Sequence, residues 1–186
     1  ALKQAQEKGF AESNPILDTG GFDAKYKLLI LLAHSFGYIA SPSDIFNIGI
    51  DSIGDLELKY AKEKNLKIKL VAQAFKGNNG KLSAFVIPKF VSAEDRLYNV
   101  DDVFNGILTK TSFADTHFFV GRGAGAHPTA SAVLSDISAL SYDYRYEYKK
   151  IYQEENLFLS DDIVLKVFLR HKREDAEALK EYFNTI

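Results

Sequence analysis

The sequence predicts an α+β fold in which a mixed, largely antiparallel sheet is covered by helices on one face. Three observations indicate this fold. The stretch 22–36 has helical length and is apolar on nearly every side. Alternating residues at 66–75 and 82–90 flank the sequence Gly-Asn-Asn-Gly, which tolerates the positive φ angles of a hairpin turn. Two further strand candidates, 104–110 and 116–120, precede a helix at 128–140.

The remaining elements suggest three parts along the chain. A strand is expected at 45–50 and a helix at 55–64. After position 141, tyrosines at 142, 144, 146 and 148 alternate with other residues, which favours an edge strand over a partner-contacting face. A strand at 163–169 and a helix at 173–183 form a short C-terminal extension. We therefore expect a domain at 1–142, a linker at 143–161 and a truncated module at 162–186, or a tail docked on the first domain.

Composition excludes several classes of function. The net charge of -2 offers no broad basic surface for nucleic acid or an acidic membrane. The absence of Cys excludes disulfides and thiolate chemistry, and it fits the reducing cytoplasm. The longest apolar run, 28–33, is too short to span a membrane, and the four histidines lack metal-ligand spacing. The chain also lacks Met, even at position 1, which indicates a fragment or a sequence with missing Met positions.

A lysine in the apolar helix is the first candidate for chemistry. Lys25 can occupy a wet rim, whereas Lys27 points elsewhere and is expected to be buried. Asp23 precedes Lys27 by four residues, so their side chains share one helix face. Burial makes an ammonium group lose its proton more readily, as acid–base chemistry requires. Taken alone, the pair is an ordinary helix ion pair; the apolar setting and the nearby carboxylates Glu12 and Asp18 favour function.

The second candidate is a glycine-rich loop at 121–126. It follows an apolar strand, precedes a helix, and fits the G-x-G-x-x-G/A pattern of dinucleotide-binding folds. That fold needs a second parallel strand after the helix, and the tyrosine-rich segment does not resemble one. The glycines therefore favour either a tight turn into a packed helix or the close approach of backbone N–H groups to a ligand.

The opening segment resembles the signature of the homoserine dehydrogenases. The pattern runs A-x-x-x-G-F-A-E-S-N-P-x-x-D at 5–18, then G-x-D-x-x-x-K at 21–27. Thr19 departs from the aliphatic residue usual in that family, but the polar set is intact. The sequence GRGAGAHPTASAVLSDI at 121–137 is also similar to that family's loop and returning helix. The resemblance covers about 1–142.

The resemblance implies an NAD(P)-dependent interconversion of L-aspartate 4-semialdehyde and L-homoserine, in the biosynthesis of threonine, methionine and isoleucine. It implies that Lys27 is the proton donor and acceptor and that Asp23 orients substrate and lysine. Glu12 and Asp18 would bind the substrate, Glu12 at its amino group. Gly125, with Gly123, would let the backbone approach the nicotinamide end of the cofactor. A homodimer formed through an open sheet edge or face is expected.

The resemblance also implies that the nucleotide-binding domain, which precedes this segment in the family, is absent. The cofactor would be bound mainly by that domain, and this chain alone is expected to be inactive. The extension from 162 could begin an ACT-type regulatory module, although the module's Asp-x-Pro-Gly turn is not found. The rival hypothesis is a non-catalytic dimerisation or amino-acid-sensing module derived from the same family.

Overall fold

The structure, a computed structural model, describes residues 6, 13–77, 79–152 and 157–183. Its helices are α1 (Ile16–Thr19), α2 (Phe22–Phe36), α3 (Asp55–Glu63), α4 (Ala126–Leu140) and α5 (Ala176–Leu179). Its strands are β1 (Phe46–Asn47), β2 (Lys67–Lys76), β3 (Leu82–Val91), β4 (Phe104–Thr111) and β5 (Asp115–Arg122). Among the described residues, no helix combines the length and apolar character needed to cross a membrane.

The main sheet has the order β1-β3-β2, with β3 in the centre. β2 and β3 are antiparallel over ten residue pairs, from Lys67 opposite Val91 to Lys76 opposite Leu82. β1 joins β3 in parallel, and β4 and β5 form a separate antiparallel hairpin. The turn between β2 and β3 closes with a hydrogen bond from the Gly77 amide to the Lys81 carbonyl at 2.8 Å. The predicted mixed, largely antiparallel arrangement is confirmed.

The core lies between α2 and one face of the main sheet. Leu28 and Leu32 of α2 pack with Ile45 and with Ala84 and Val86 of β3, and Leu32 and Val86 are fully buried. α3 covers the same face further along, where the Tyr60 ring lies 5.2 Å from the ring of Phe90. Side chains alternate between the two faces of a strand, and positions 84, 86 and 90 share one face. Helices therefore cover one face of the sheet, as predicted.

Helix α2 begins and ends at glycines in the left-handed region, Gly21 with φ 78° and Gly37 with φ 70°. Only one side of the helix is buried. Tyr26 and Ile30, on the other side, are 45% and 54% exposed. The prediction of a helix at 22–36 is confirmed, but the prediction that this helix is buried all round is wrong. The side of α2 that bears Tyr26 and Ile30 does not pack in the core between α2 and the sheet.

The prediction that Lys27 is the buried lysine is also wrong, because the roles of the two lysines are exchanged. Lys25 is 7% exposed, since it lies on the same side as Leu28 and Leu32. Its Nζ donates to the Ile45 carbonyl at 3.3 Å and lies 5.2 Å from the centre of the Phe22 ring. Lys27 follows two residues later, about 200° further around the helix axis, and therefore faces solvent.

The extension after α4 docks on the domain rather than forming strands. Residues 144–148 have no regular structure, so the predicted edge strand of tyrosines is wrong. The predicted strand at 163–169 is also wrong, because no neighbouring strand in the described chain pairs with it. The predicted C-terminal helix is reduced to a 3-10 turn, Arg173–Asp175, followed by α5.

Backbone and side-chain contacts hold this extension in place. Leu159 bridges to Leu82 at the start of β3. The ring of Phe168 lies 4.7 Å from that of Tyr60, between α3 and the sheet. Arg170 forms an ion pair with Glu57 of α3, Nη1 to Oε1, at 3.1 Å. The tail therefore contacts the first domain through Leu159, Phe168 and Arg170.

Candidate active site

The first two turns of α2 carry an acidic and a basic residue that face solvent together, Asp23 and Lys27. Asp23 lies beside the helix N-terminus, where the partial positive charge of the helix stabilises a carboxylate. Its Oδ2 lies 2.6 Å from the Nζ of Lys27, and the two side chains are 48% and 52% exposed. An ammonium group has three N–H donors. The ion pair with Asp23 uses one N–H donor of Lys27, so its other N–H groups can donate to a ligand at this surface.

Asp18 lies just before this helix, on α1. The short helix starts where the Asn14 side chain accepts from the Ile16 amide at 3.3 Å. It ends where the Asp18 carbonyl accepts from the Gly21 amide at 3.2 Å. The Asp18 side chain is exposed. A single turn, residues 19–21, therefore connects Asp18 to the helix end that bears Asp23 and Lys27.

This turn is held by residues that the sequence analysis did not single out. Asn47 of β1 donates from Nδ2 to the Gly20 carbonyl at 2.8 Å. The Ile50 amide donates to the Thr19 carbonyl at 2.7 Å. An isolated Asn in a short strand gives no functional signal in a sequence, because its importance depends on a contact 27 residues away along the chain.

Glu12, the predicted ligand of the substrate amino group, lies outside the described residues. Among the predicted polar residues, the structure pairs Asp23 with Lys27, and Asp18 precedes them on α1. The elements that pack most closely on α2 in the described chain are α1, β2, β3 and two 3-10 turns, Pro42–Asp44 and Lys149–Tyr152. The glycine loop is not among them.

The glycine loop connects β5 to α4. Gly125 has φ 123° and ψ 153°, a conformation that other residues adopt only with strain, and it precedes the first turn of α4. A Cβ on Gly123 would lie 2.2 Å from the Asn105 Nδ2 atom, but both residues are exposed and the Asn105 side chain can turn away, so this contact alone does not require glycine. Gly125, Ala126, Thr129 and Ala130 line an open surface depression at this end of α4.

The argument against a dinucleotide-binding unit at this loop is confirmed. β5 pairs antiparallel with β4, and α4 is followed by a turn and irregular structure instead of a parallel strand. The N-terminus of α4 still presents backbone N–H groups that have no partner within the helix, as every helix start does. The loop can thus approach one end of a ligand, but it lacks the surroundings that hold a whole dinucleotide.

Two carboxylates away from this surface have displaced pKa values. Hydrogen bonds from Lys67 at 2.6 Å and Lys69 at 2.7 Å lower the pKa of Asp101 to about 2. The hydrogen bond from the Gly54 amide, at 2.8 Å, is the main cause that lowers the pKa of Glu57, and Arg170 adds to it. Both groups stabilise structure: Asp101 links β2 to the loop that precedes β4, and Glu57 caps α3. Among the residues that the structure describes, no cluster of three or more His, Asp or Glu side chains could hold a metal ion.

Comparison with known proteins agrees with the polar pattern. The family model described as homoserine dehydrogenase matches residues 1–138. The homoserine dehydrogenase of Helicobacter pylori is 40% identical over 137 residues, which are 74% of this chain and 32% of that protein. The chain thus spans about a third of the length of this curated relative.

Solved structures agree on the fold. The homoserine dehydrogenase of Thiobacillus denitrificans is 31% identical with a TM-score of 0.69, over 88% of this chain and 38% of that one. A hyperthermophilic archaeal homoserine dehydrogenase in complex with NADPH is 28% identical with a TM-score of 0.61. That match covers 77% of this chain and 40% of the archaeal one.

Proposed function

Since this chain belongs to the homoserine dehydrogenase family, we propose that it forms the substrate-binding and catalytic part of an NAD(P)-dependent homoserine dehydrogenase. The reaction is the interconversion of L-aspartate 4-semialdehyde and L-homoserine. The family consists of oxidoreductases of amino-acid biosynthesis that use NAD(P). The observation that carries the proposal is the solvent-facing Asp23–Lys27 pair, which lies one turn away from Asp18.

Lys27 is proposed to move the proton of the reaction. In the oxidative direction, the substrate hydroxyl gives its proton to the Nζ atom while its carbon loses a hydride. NAD(P) supplies the hydride acceptor when it is bound. In the reductive direction, the Lys27 ammonium stabilises the negative charge that develops on the aldehyde oxygen and then donates a proton to it. Asp23, 2.6 Å from Nζ, keeps the amine at the position where this transfer takes place.

The carboxylates are proposed to bind the polar end of the substrate. Homoserine carries an ammonium group, and carboxylates pair with such a group through charge-assisted hydrogen bonds. Asp18 is exposed at the turn before α2 and is suited to this contact. Glu12 is proposed as its partner on the basis of the signature at 5–18.

The cofactor is proposed to meet this chain only at its reactive end. Gly125 presents backbone without a side chain at the N-terminus of α4, which fits the close approach of a flat ring. Gly123 is exposed beside the Asn105 side chain and is proposed to take part in the same approach. The nucleotide portion is proposed to bind to a nucleotide-binding half like the one that precedes this segment in the family, and this chain alone would be inactive.

A homodimer is proposed through the sheet face that α2 and α3 do not cover. Val71 and Ile87 lie opposite each other there and are half-buried within one copy. A second copy related by two-fold symmetry would bury the same patch on both subunits. This arrangement leaves the Asp23–Lys27 surface, on the helical side of the sheet, open to substrate.

The rival proposal is a non-catalytic dimerisation or amino-acid-sensing module, with the tail from 162 as part of a regulatory unit. One observation favours it: the Asp23–Lys27 pair has the spacing and exposure of an ordinary ion pair on a helix surface. In this proposal the carboxylates would bind an amino acid without any turnover.

A fusion protein tests the two proposals. The nucleotide-binding half of the Helicobacter pylori relative would be joined ahead of this chain, and homoserine-dependent formation of NADH or NADPH would be followed by absorbance. The catalytic proposal predicts turnover that requires both homoserine and the cofactor. A folded, dimeric fusion protein that binds homoserine but reduces no cofactor would support the rival module and contradict the catalytic role.

A further inference from the structure

We propose that residues 47–50 position the substrate-binding turn. Asn47 does this through its side chain, and Gly49 and Ile50 through their backbone. The turn, residues 19–21, connects Asp18 to the helix end that bears Asp23. The inference rests on the proposed function, because it assigns these residues a role in substrate binding. We call residues 47–50 the positioning segment.

Two hydrogen bonds join the positioning segment to consecutive carbonyl groups of the turn. Asn47 Nδ2 donates to the Gly20 carbonyl at 2.8 Å, and the Ile50 amide donates to the Thr19 carbonyl at 2.7 Å. Asn47 itself is paired with Val86 in the central strand, and Val86 is fully buried. The turn is therefore connected through one side chain and one amide to a segment that pairs with a fully buried residue of the central strand.

The backbone of Gly49 also lies directly against the backbone of the turn. A Cβ on Gly49 would lie 2.0 Å from the Thr19 carbonyl oxygen and 2.5 Å from the Gly20 Cα. Both distances are far shorter than real contacts between such atoms, and both atoms belong to the backbone, which cannot turn away. Glycine at 49 is thus what allows the two segments to touch. Any side chain there would push the turn outward.

Displacement of the turn should alter substrate binding more than proton transfer. Helix α2 is held by Leu28 and Leu32 in the core, so Lys27 keeps its place when the turn moves. Asp18 lies on the far side of the turn and would shift relative to Asp23. Because Asp18 is proposed to bind the ammonium group of the substrate while Lys27 meets its hydroxyl group, a shift of Asp18 relative to the helix end should raise KM.

The first test uses the full 186-residue chain. Asn47→Ala removes the donor, Asn47→Gln keeps one, and Gly49→Ala introduces the clash. Amide hydrogen exchange at Gly20, Gly21 and Ile50 should accelerate in Asn47→Ala by about two- to tenfold, the effect of one hydrogen bond. Exchange in the core of α2 should not change, and Asn47→Gln should restore part of the protection. Unchanged exchange at the turn would overturn the inference.

The second test uses the fusion protein. In Asn47→Ala, KM for homoserine should rise by about two- to tenfold, with kcat changed by less than a factor of about two. Gly49→Ala should have a larger effect on KM. Two controls carry the same substitutions elsewhere: Asn79→Ala, which lies in the β2–β3 turn, and Gly54→Ala, whose added Cβ would meet its neighbours at an ordinary 3.5 Å.

The outcomes separate this inference from the proposed function. An inactive wild-type fusion protein contradicts the proposed function, and the exchange measurement on the chain then still decides whether residues 47–50 hold the turn. An active wild type with an unchanged KM in Asn47→Ala contradicts the positioning role alone. A fall in kcat together with a fall in Tm would also contradict it, because it would show a purely structural role.

Discussion

Replacing Lys27 distinguishes a catalytic lysine from an ordinary ion pair. The side chains of Lys27 and Asp23 are 52% and 48% exposed, and helix-surface pairs of this spacing contribute only about 0.3–0.5 kcal/mol. For a protein of this size, 1 kcal/mol corresponds to about 2–4 °C in Tm, so Lys27→Ala should lower Tm by no more than about 2 °C. General acid–base catalysis contributes about 10²- to 10⁴-fold to the rate, and that factor should be lost.

The assay is homoserine-dependent reduction of NAD(P) by the fusion protein, with thermal unfolding of each variant measured alongside. Lys59→Ala is the matched control, because Lys59 forms another exposed i,i+4 pair, with Glu63 at 3.9 Å. Lys27→Arg is the second variant: it keeps the charge and can keep the ion pair, but a guanidinium group does not give up its proton. We expect both Lys27 variants to lose turnover and Lys59→Ala to retain it.

Two results would refute this reasoning. Turnover in Lys27→Ala within about a factor of ten of the wild type is too high for the loss of a general acid–base. Full activity in Lys27→Arg would show that the charge matters and the proton transfer does not. Either result, with Tm little changed, would favour the rival module.

Three further predictions concern stability. Leu32→Ala should lower the free energy of unfolding by about 3–5 kcal/mol, whereas Leu31→Ala, at a position 36% exposed, should cost about 1 kcal/mol or less; equal losses in urea unfolding would contradict the core described above. Because the pKa of Asp101 is lowered to about 2, its stabilising effect is present above the pKa of an unfolded aspartate, about 4, and is lost as the pH falls towards 2. Asp101→Asn should therefore flatten the fall in Tm over that range, and an unaltered pH profile would refute the assignment. Glu57→Gln should keep the helix cap but lose the ion pair with Arg170. Limited proteolysis should therefore cut the tail faster than in the wild type, both in Glu57→Gln and in Arg170→Gln. A tail as resistant as that of the wild type in both variants would show that this pair does not hold the tail.

Elements with a strong local signal could be predicted from the sequence. The helix at 22–36 has a glycine at each end and an apolar interior, and its observed limits match the prediction. The long hairpin of β2 and β3 also follows from local chemistry, since two alternating stretches flank a turn sequence rich in Gly and Asn. In both cases the residues that decide the structure are neighbours along the chain.

Elements that depend on a distant partner could not be predicted in the same way. Residues 163–169 alternate like a strand, but a strand forms only when another strand supplies hydrogen bonds to it. Here Phe168 packs instead on Tyr60, more than a hundred positions away along the chain. The tail is thus held by side-chain contacts that its own sequence does not reveal.

In the candidate site, too, features set by neighbouring residues could be predicted, and features set by distant contacts could not. The i,i+4 spacing predicted that Asp23 and Lys27 share one face of α2, and the observed ion pair agrees, because the two residues are neighbours on the helix; the roles of Asp18, Asp23 and Lys27 stay predictions. Which of the two lysines is buried was predicted wrongly, because an apolar helix does not show from its sequence alone which side meets the sheet. Asn47 could not be found at all, because its role depends on a hydrogen bond to Gly20 across a separation of 27 residues.

Helix α4 shows how this chain relates to its longer relatives. Val133, Leu134, Ile137 and Leu140 form a stripe along it, and each is more than half exposed. Burial of a side chain of this size contributes about 1.5–3 kcal/mol, and a helix of 15 residues is marginal without such packing. A nucleotide-binding half that packs on this stripe would stabilise α4 and would also bring its ligand to the Gly125 end. Under the proposed function, one docking event would account for both the exposed stripe and the approach of the cofactor to Gly125.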